Sequence, residues 1–527
     1  MTKKLVLFMA AVVVLFAFTF ASFSNAAERK DVLVIGMPTS DMTGLDPAKA
    51  YEFSSLGIMA QCYDRLTDYP IGNFEKPELS LAESYEVSED GKVWTFHLQK
   101  GVKFHSGNPL TADDVVYSFQ RVIILKAWPS VNFTQFGITP ESVKALDKYT
   151  VQITLDKKYA GGLFFSCLSV VCTSIVDSKL VKQHVKKTDE YPDGDMGLTW
   201  LSRNSAGSGT FMLRKWVKND RVILDANPNH FRYPPKVKRV VIKEIAEPTT
   251  RMLQVAKGDI DIGWDMSSDQ VKELKKREDL RIERTPNFYI WYIGMNLAKG
   301  PLADNKVRAA IRHAVNYDGI INNVIGGAAI RICTFIPKGF AGYQKTIYYQ
   351  EDLAKARQLM KESGYPNGFE INLEFPDWAP APQVAQVIQN SLARIGIKLK
   401  LHMMIGSELW PKYRAAKTEM ILALWGPDFI DPHANAPAFA DYKIKQICWR
   451  NHYYNEQTSK LVQEAAQEMD NSKRIAIYQK VNQIIQQEGP YAMLYQAVSQ
   501  HAVRNNIKNV NVAPNFDLWK LYPIRKE

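Results

Sequence analysis

The stretch Leu81–Arg121, LAESYEVSEDGKVWTFHLQKGVKFHSGNPLTADDVVYSFQR, determines how this part of the chain folds. The apolar segments Tyr85–Val87 and Val93–Leu98 are predicted strands, because the Asp-Gly pair between them supplies the positive φ that a tight turn needs. Thr111 is predicted to cap a helix that follows the loop. Apolar side chains recur on one face of that helix: Val115, Val116, Phe119, Val122 and Ile123. The stretch therefore predicts a hairpin, a loop and an amphipathic helix, which together make a small α+β unit.

This stretch also resembles the signature block of the extracellular solute-binding proteins of family 5, the peptide- and nickel-binding receptors of ABC importers. Members of that family show an AES-type start, a hairpin of the form DG…TFHLRKGVKFHDG and a helix of the form PLTAEDVVFS. Further matches follow in the family's order: LDP at 45–47, NSAGSGTF at 204–211, NPNHF at 227–231 and EPTTRMLQVAKGDIDI at 247–262. The resemblance covers nearly the whole chain beyond a predicted signal peptide.

The resemblance implies an α/β fold of the periplasmic-binding-protein type II kind, with two lobes, a hinge and an extra α+β subdomain in the N-terminal lobe. A chain of 527 residues is long enough for two or three domains. On the family pattern the hinge is expected near Glu283–Tyr289 and Met493–Val498. The predicted division is a signal peptide at 1–26, lobe I at 27–68, its extra subdomain at 69–197, more of lobe I at 198–286, lobe II at 287–492 and a C-terminal return to lobe I at 493–527.

A βαβ unit is predicted within lobe II from the residues themselves. Strand-like Phe369–Phe375 and Ile397–Leu401 flank the helical pattern of Val384–Ile395. A single helix between two strands of one sheet makes a right-handed crossover, so the two strands are expected to be parallel.

The first residues indicate export. Lys3 and Lys4 precede the apolar run Leu5–Ala21, and small residues follow up to Ala26. This order is typical of a signal peptide that is cleaved after Ala26, and the run is short for a membrane-spanning helix. The sequence therefore predicts a periplasmic protein.

The charge and cysteine content narrow the classes of partner. The formal net charge is +11, but basic residues are scattered among acidic ones, whereas a nucleic-acid surface needs a basic patch. We therefore expect no nucleic-acid partner, and we expect a monomer. Five cysteines leave at least one thiol free in an oxidising compartment. Cys167 and Cys172 fit two buried thiols as well as they fit a bridge, so the pairing stays open among Cys62, Cys167, Cys172, Cys333 and Cys448.

The segment Leu424–His433, LWGPDFIDPH, is the best candidate for a binding site, because a strand leads an aromatic residue and then a carboxylate into a loop. In peptide-binding relatives an Asp three residues after this Trp binds the ligand's α-ammonium. The resemblance therefore implies that role for Asp428, with Trp425 beside it, through charge-assisted hydrogen bonds. The alternative is a loop Asp that caps a backbone N–H. A strand is predicted at Trp291–Asn296. Four more residues are predicted to line the cleft, although the aromatic strand residues among them also fit a core: Trp291, Tyr292, Asn296 and Trp378.

One departure from the family pattern bears on the ligand. Dipeptide-binding relatives place an Arg in the loop before the helix at Val384, where it holds the ligand's carboxylate. Here residues 376–382 read PDWAPAP, which contains no Arg, and Asp377 would repel a carboxylate. This argues against strict dipeptide specificity and leaves open longer peptides held by main-chain hydrogen bonds, or an amine without a nearby carboxylate.

A metal site in the same segment is a weaker hypothesis. Asp428, Asp431 and His433 could be three ligands, but a fourth is normally needed and no second cluster is evident. The Asp431-Pro432 pair is also typical of a structural turn. We therefore predict no metal and no cofactor.

The predicted function is the periplasmic substrate-binding component of an ABC importer. It would capture a peptide or peptide-like small solute between two lobes and deliver it to permease subunits at the inner membrane. An enzyme is not predicted, because the sequence contains no G-x-S-x-G elbow, no H-E-x-x-H and no glycine-rich phosphate loop. The alternatives are a receptor for a metal chelate or other non-peptide solute, a secreted hydrolase on a similar scaffold, and a structural or chaperone-like envelope protein.

Overall fold

A computed structural model describes residues 31–527 of the chain. The predicted signal peptide lies outside the described residues. Within 31–527, no helix is both long enough and apolar enough to cross a membrane.

The described residues form strands of very different lengths. In chain order they are β1 Val32–Met37, β2 Thr67–Asp68, β3 Glu78–Leu79, β4 Ala82–Val87, β5 Val93–Leu98, β6 Val143–Asp147, β7 Thr150–Thr154, β8 Phe211–Val217, β9 Arg221–Ala226, β10 Arg239–Glu244, β11 Ile262–Gly263, β12 Leu280–Met295, β13 Ala329–Arg331, β14 Phe369–Pro376, β15 Ile397–Met404, β16 Met420–Trp425, β17 Tyr491–Arg504, β18 Ile507–Lys508 and β19 Arg525–Lys526.

The α-helices of the same residues are mostly short. They are α1 Phe53–Cys62, α2 Ala112–Leu125, α3 Val131–Thr134, α4 Gly161–Leu168, α5 Ser178–Lys182, α6 Leu198–Leu201, α7 Pro248–Lys257, α8 Ser268–Leu274, α9 Asn305–Ala314, α10 Leu353–Glu362, α11 Ala381–Ala393, α12 Gly406–Arg414, α13 Ala436–Ala440, α14 Ile447–Arg450, α15 Glu456–Gln467 and α16 Asn471–Glu488.

One sheet of eleven strands connects the two halves of the molecule, in the order β15-β14-β16-β12-β17-β11-β1-β10-β9-β8, with β13 paired to β17. Lobe I denotes here β11, β1, β10, β9 and β8 with the elements that pack on them. Lobe II denotes β15, β14 and β16 with theirs. Strands β14 and β15 are parallel and α11 connects them, so the predicted βαβ unit is confirmed. The α/β, two-lobe prediction is confirmed as well.

The stretch Leu81–Arg121 folds as predicted. Strands β4 and β5 form a hairpin through Gly91, which has a φ of +71°. Thr111 begins α2 with a capping box, in which its backbone N–H donates to Asp114 Oδ2 at 2.9 Å. The strand β4 begins three residues earlier than predicted, because the ladder continues to the pair of Ala82 with Leu98. With β7 and β6, the hairpin forms a separate four-stranded sheet, so an extra α+β unit is present.

Strands β12 and β17 run through the centre of the large sheet and belong to both halves. They pair from Leu280 with Arg504 to Gly294 with Tyr491. The predicted strand near Trp291 was too short, because its polar and proline-containing first half gives no strand pattern and gains its pairing from β17. The ladder shifts register between Pro286 and Ile290. The predicted limits at 286/287 and 492/493 fall inside these continuous strands, and the hinge and the domain limits stay predictions.

The C-terminal segment returns to lobe I and packs there. Phe516 and Trp519 are fully buried, and the carbonyl of Trp519 accepts a 2.8 Å hydrogen bond from the Gln61 side chain of α1.

The five cysteines are all buried and all free. Burial raises the pKa of the Cys172 thiol to about 12, so this group is protonated at neutral pH. For Cys167 and Cys172 the structure has two buried thiols rather than a bridge.

Candidate functional site between the lobes

The end of β16 holds an aromatic residue in a fixed orientation. The Trp425 indole N–H donates to Asn435 Oδ1 at 2.8 Å, and the Asn435 amide donates to the carbonyl of Phe335 at 2.7 Å. The Trp425 ring also meets the ring of Phe439 edge-on, with 6.2 Å between the centroids. Asn435 is fully buried and therefore fixes the half-buried Trp425 from the protein interior. The chain then continues into the next loop.

Asp428 lies on that loop with its side chain open to solvent. Its Oδ1 accepts a 2.7 Å hydrogen bond from the hydroxyl of Tyr51, which precedes α1 in lobe I. No cation among residues 31–527 forms a salt bridge with this carboxylate. Although it is open to solvent, protein surrounds it closely enough to raise its pKa through burial, and the Tyr51 hydrogen bond opposes this rise in part. The structure therefore presents an unneutralised carboxylate at the contact between the two lobes.

Asp431, three residues further on, has the opposite surroundings. Its two oxygens bind Nη1 and Nη2 of Arg474 at 2.9 and 2.8 Å, and both side chains are buried. Oδ1 also accepts from the backbone N–H of His433, which makes the predicted structural turn. This bidentate pair holds the loop to α16.

These contacts argue against the hypothetical metal site formed by Asp428, Asp431 and His433. Asp431 is committed to Arg474, and the His433 ring lies 2.9 Å from the hydroxyl of Tyr478. Burial lowers the pKa of His433 to about 4. Within residues 31–527, no group of three or more His, Cys, Asp or Glu side chains is arranged to hold a metal ion.

The two aromatic residues predicted on β12 point to opposite faces of the sheet. Trp291 stacks on Tyr495, with 5.9 Å between the ring centroids, and lines a cavity between the lobes. Tyr292 is buried on the other face, where its ring is 5.4 Å from that of Phe439 in an edge-on contact. Of the two, Trp291 is the residue that a bound solute could reach.

Asn296 and Trp378 also differ in their surroundings, since one is buried and the other is exposed. Asn296 is 0% exposed, and its amide group donates to the carbonyls of Ala416 and Thr418 at 3.1 and 2.9 Å. Its oxygen accepts from the N–H of Ala298, so its polar atoms are used within lobe II. Trp378 is 40% exposed just beyond β14, with its ring 6.0 Å from that of Trp410.

The cavity that Trp291 lines has a volume of about 540 Å³ and lies between the lobes. Lobe I contributes the segment that follows β11, and lobe II contributes the loop after β14. Strands β12 and β17 supply the wall between them. The lining includes Asp265, Met266, Ser267, Asn287, Trp291, Ala379, Pro380, Tyr495 and Ser499.

Comparison with known proteins places the chain in a family. Residues 76–445 match the family model described as bacterial extracellular solute-binding proteins, family 5 Middle. The chain belongs to solute-binding protein family 5. It is 30% identical over 504 residues to the probable D,D-dipeptide-binding periplasmic protein DdpA of Escherichia coli (strain K12), with 94% of each chain covered.

Two solved structures of family 5 type share the fold over nearly the whole length. HbpA2 from Haemophilus parasuis is 26% identical, with a TM-score of 0.82, covering 94% of this chain and 100% of the other. The periplasmic binding protein DppA from Helicobacter pylori, solved with the peptide STSA, is 26% identical, with a TM-score of 0.75, covering 95% and 100%. The relatives are binding proteins, which agrees with the absence of a predicted catalytic motif.

Within this family 5 fold, the structure brings together some predicted residues and adds others. Asp428 and Trp425 share the loop after β16, and Trp291 faces the neighbouring cavity. Sequence reasoning missed Tyr51 and Asp265, because only tertiary structure brings Tyr51 to Asp428 and Asp265 to a cavity that lobe II also lines. A signal for Asp265 existed, since it lies two residues beyond the strand at Ile262–Gly263, and a loop carboxylate after the end of a strand is typical of a site.

Proposed function

We propose that this protein is the periplasmic substrate-binding component of an ABC importer and binds a peptide or peptide-like small solute between its lobes. The observation that carries the proposal is the Asp428 carboxylate, whose hydrogen-bond partner is the uncharged hydroxyl of Tyr51. A carboxylate in this setting suits a ligand ammonium, because a charge-assisted hydrogen bond is about twice as strong as one between neutral groups. The names of the relatives, a D,D-dipeptide-binding protein and a protein solved with a peptide, support the same class of solute.

The two lobes supply the means of capture. A solute that binds Asp428 from lobe II and the Tyr51 region from lobe I gains contacts only when the lobes are closed, so binding favours the closed form. The bend is proposed at residues 287–289, where the β12–β17 ladder shifts register. The closed form would then be recognised by permease subunits at the inner membrane. The proposal includes no chemical change to the solute.

The test is thermal unfolding of the mature protein with pools of di-, tri- and longer peptides and, separately, with nickel chelates. A solute that binds only the folded form stabilises it by about 2.7 kcal/mol at a hundredfold excess over Kd. We expect a shift with peptides that is lost in Asp428→Asn and kept in Asp220→Asn. Asp220 is a suitable control, because it pairs with Arg221 on the exposed β8–β9 turn.

Two outcomes would overturn the proposal. A shift with nickel chelates and none with peptides would favour the metal-chelate receptor. Mass spectrometry that finds the bound peptide cleaved would favour the hydrolase alternative instead.

A further inference from the structure

The cavity between the lobes has a carboxylate of its own, on the lobe I side. Asp265 follows β11 and lines the cavity, while Ala379 and Pro380 of lobe II line it with no charge. The side chain of Asp265 is open to the cavity. It lies on a different lobe from Asp428, so the two carboxylates come from separate elements.

The backbone at Asp265 is in an unusual conformation that its neighbours hold in place. Its φ is +49°, in the left-handed region, which costs an L-residue about 1–2 kcal/mol. Its N–H donates to Nδ1 of His501 at 3.2 Å, and the next N–H, of Met266, donates to the carbonyl of Gln500 at 2.6 Å. Nε of Arg251 donates to the carbonyl of Trp264 at 2.9 Å. These bonds on both sides fix the direction of the Asp265 side chain.

His501 can accept the hydrogen bond from the Asp265 N–H over the whole physiological pH range. It is buried, and burial lowers its pKa to about 3. The ring is therefore neutral, and its Nδ1 keeps the lone pair that accepts the N–H of Asp265.

The other charged groups that line the cavity are already engaged. Arg251 is buried, and its Nη1 donates to the carbonyls of Ile245 and Ala246 at 2.7 and 2.8 Å. Lys272 pairs with Asp269 at 3.0 Å. Asp265 forms no salt bridge with any residue of the described chain. Burial raises its pKa, and the charge of Arg251 and the backbone N–H of Gln500 oppose this only in part.

The surroundings of the two carboxylates meet at one stretch of β12. Tyr289 links them: its ring lies against Gly426 in the loop of Asp428, and its neighbours two residues away, Asn287 and Trp291, line the cavity of Asp265.

We propose that Asp265 binds a second cationic group of the solute, so that the cleft selects small solutes with two positive groups, such as a peptide with a lysine or arginine side chain. This inference rests on the proposed function, with the first cation at Asp428. A carboxylate without a cationic partner in the protein offers a charge-assisted hydrogen bond to an ammonium or guanidinium group that reaches it.

The test is calorimetric titration of the mature protein with alanyl-lysine and with alanyl-norleucine, which differ by the side-chain ammonium. The wild type is expected to bind alanyl-lysine about 10- to 100-fold more tightly, the range of a hydrogen bond to a charged group. Asp265→Asn should remove this preference and leave the affinity for alanyl-norleucine within about twofold, since no partner of that peptide is lost. Asn tolerates a positive φ, so this variant keeps the loop, and Asp220→Asn serves as the charge-matched control.

The outcomes separate this inference from the function on which it rests. Equal affinity of the wild type for the two peptides would overturn the role of Asp265 and leave the peptide receptor standing. If neither dipeptide binds but 1,5-diaminopentane does, with loss in Asp265→Asn, the two-cation inference stands, and the peptide proposal fails if the pools of longer peptides give no shift either. Binding of none of the three probes would overturn the two-cation inference, and the absence of a shift with the peptide pools would overturn the peptide proposal as well.

Discussion

Asp428 and Asp431 belong to one loop, yet their carboxylates have opposite surroundings. Asp431 is buried against Arg474, and each of its oxygens meets one guanidinium nitrogen. Asp428 is open to the cleft and touches only the neutral hydroxyl of Tyr51 from the other lobe. The surrounding protein raises the pKa of Asp428, whereas the Asp431 carboxylate raises the pKa of Arg474, although burial of that guanidinium opposes the rise.

This difference separates a carboxylate that holds the fold from one that is available to a ligand. The charge of Asp431 is satisfied inside the protein, so its removal leaves an uncompensated cation. The charge of Asp428 has no cationic partner in the described chain. Its removal should therefore not lower the free energy of unfolding and should change only the binding of a ligand.

The largest effect is expected for Asp431→Asn. This change leaves the Arg474 guanidinium buried without its counter-charge, and breaking a buried pair in this way costs about 3–5 kcal/mol. Urea unfolding should report this loss in the free energy of unfolding. A loss below about 1 kcal/mol would show that the pair does not hold the loop.

Asp428→Asn is the matched variant on the same loop. Burial raises the folded-state pKa of Asp428 above its unfolded value, so the charged form lowers stability at neutral pH. A neutral side chain removes that cost, and the free energy of unfolding should not fall. A loss comparable to that of Asp431→Asn would contradict the distinction.

Asn296→Ala should lower stability and leave solute affinity unchanged. The carbonyls of Ala416 and Thr418 lose the donor that they share, and leaving the buried Thr418 carbonyl unsatisfied costs about 1–3 kcal/mol. The free energy of unfolding and the Kd for a bound peptide are measured on the same preparation. Weaker solute binding with an unchanged free energy of unfolding would instead show that Asn296 takes part in ligand binding.

Tyr51→Phe should weaken solute binding modestly, by about 1 kcal/mol or roughly fivefold in Kd, because one hydrogen bond to the carboxylate is lost. Phe keeps the ring and its packing, so the free energy of unfolding is a control that should change little. An unchanged Kd would mean that Tyr51 moves away from Asp428 when the solute binds.

Solute affinity should also depend on pH in a defined direction. The ammonium needs an ionised carboxylate, and the pKa of Asp428 is raised, so affinity should fall as the pH drops through that raised pKa, at a higher pH than for an ordinary Asp. The nearby ionisable groups, Tyr51 and Cys172, have raised pKa values and stay neutral in this range. Calorimetry across pH should show this dependence reduced in Asp428→Asn.

Much of the architecture could be predicted from local pattern. The hairpin at Val93–Leu98, the capped helix after Thr111 and the βαβ unit each depend on residues close together in sequence, and all three are present. Strand β12 was predicted too short, because its first half is polar and depends on β17, some two hundred residues away in the chain.

The candidate site was predictable only in part. Asp428 and Trp425 could be placed because a strand leads directly into their loop. Tyr51 could not, since its contact with Asp428 joins residues from different lobes. The role of Asn296 could not be assigned from the sequence, because a polar residue at the end of a strand fits a binding site and a buried cap equally well until its partners are known.

The most direct test of the account is the affinity of the mature protein for one peptide with a free amino terminus and for its N-acetylated form. If Asp428 binds the ammonium, acetylation should weaken binding to the wild type by about 10- to 100-fold. Asp428→Asn should bind the two forms with nearly equal, weak affinity. Equal affinity of the wild type for both forms would contradict the assignment of Asp428 as the amine anchor.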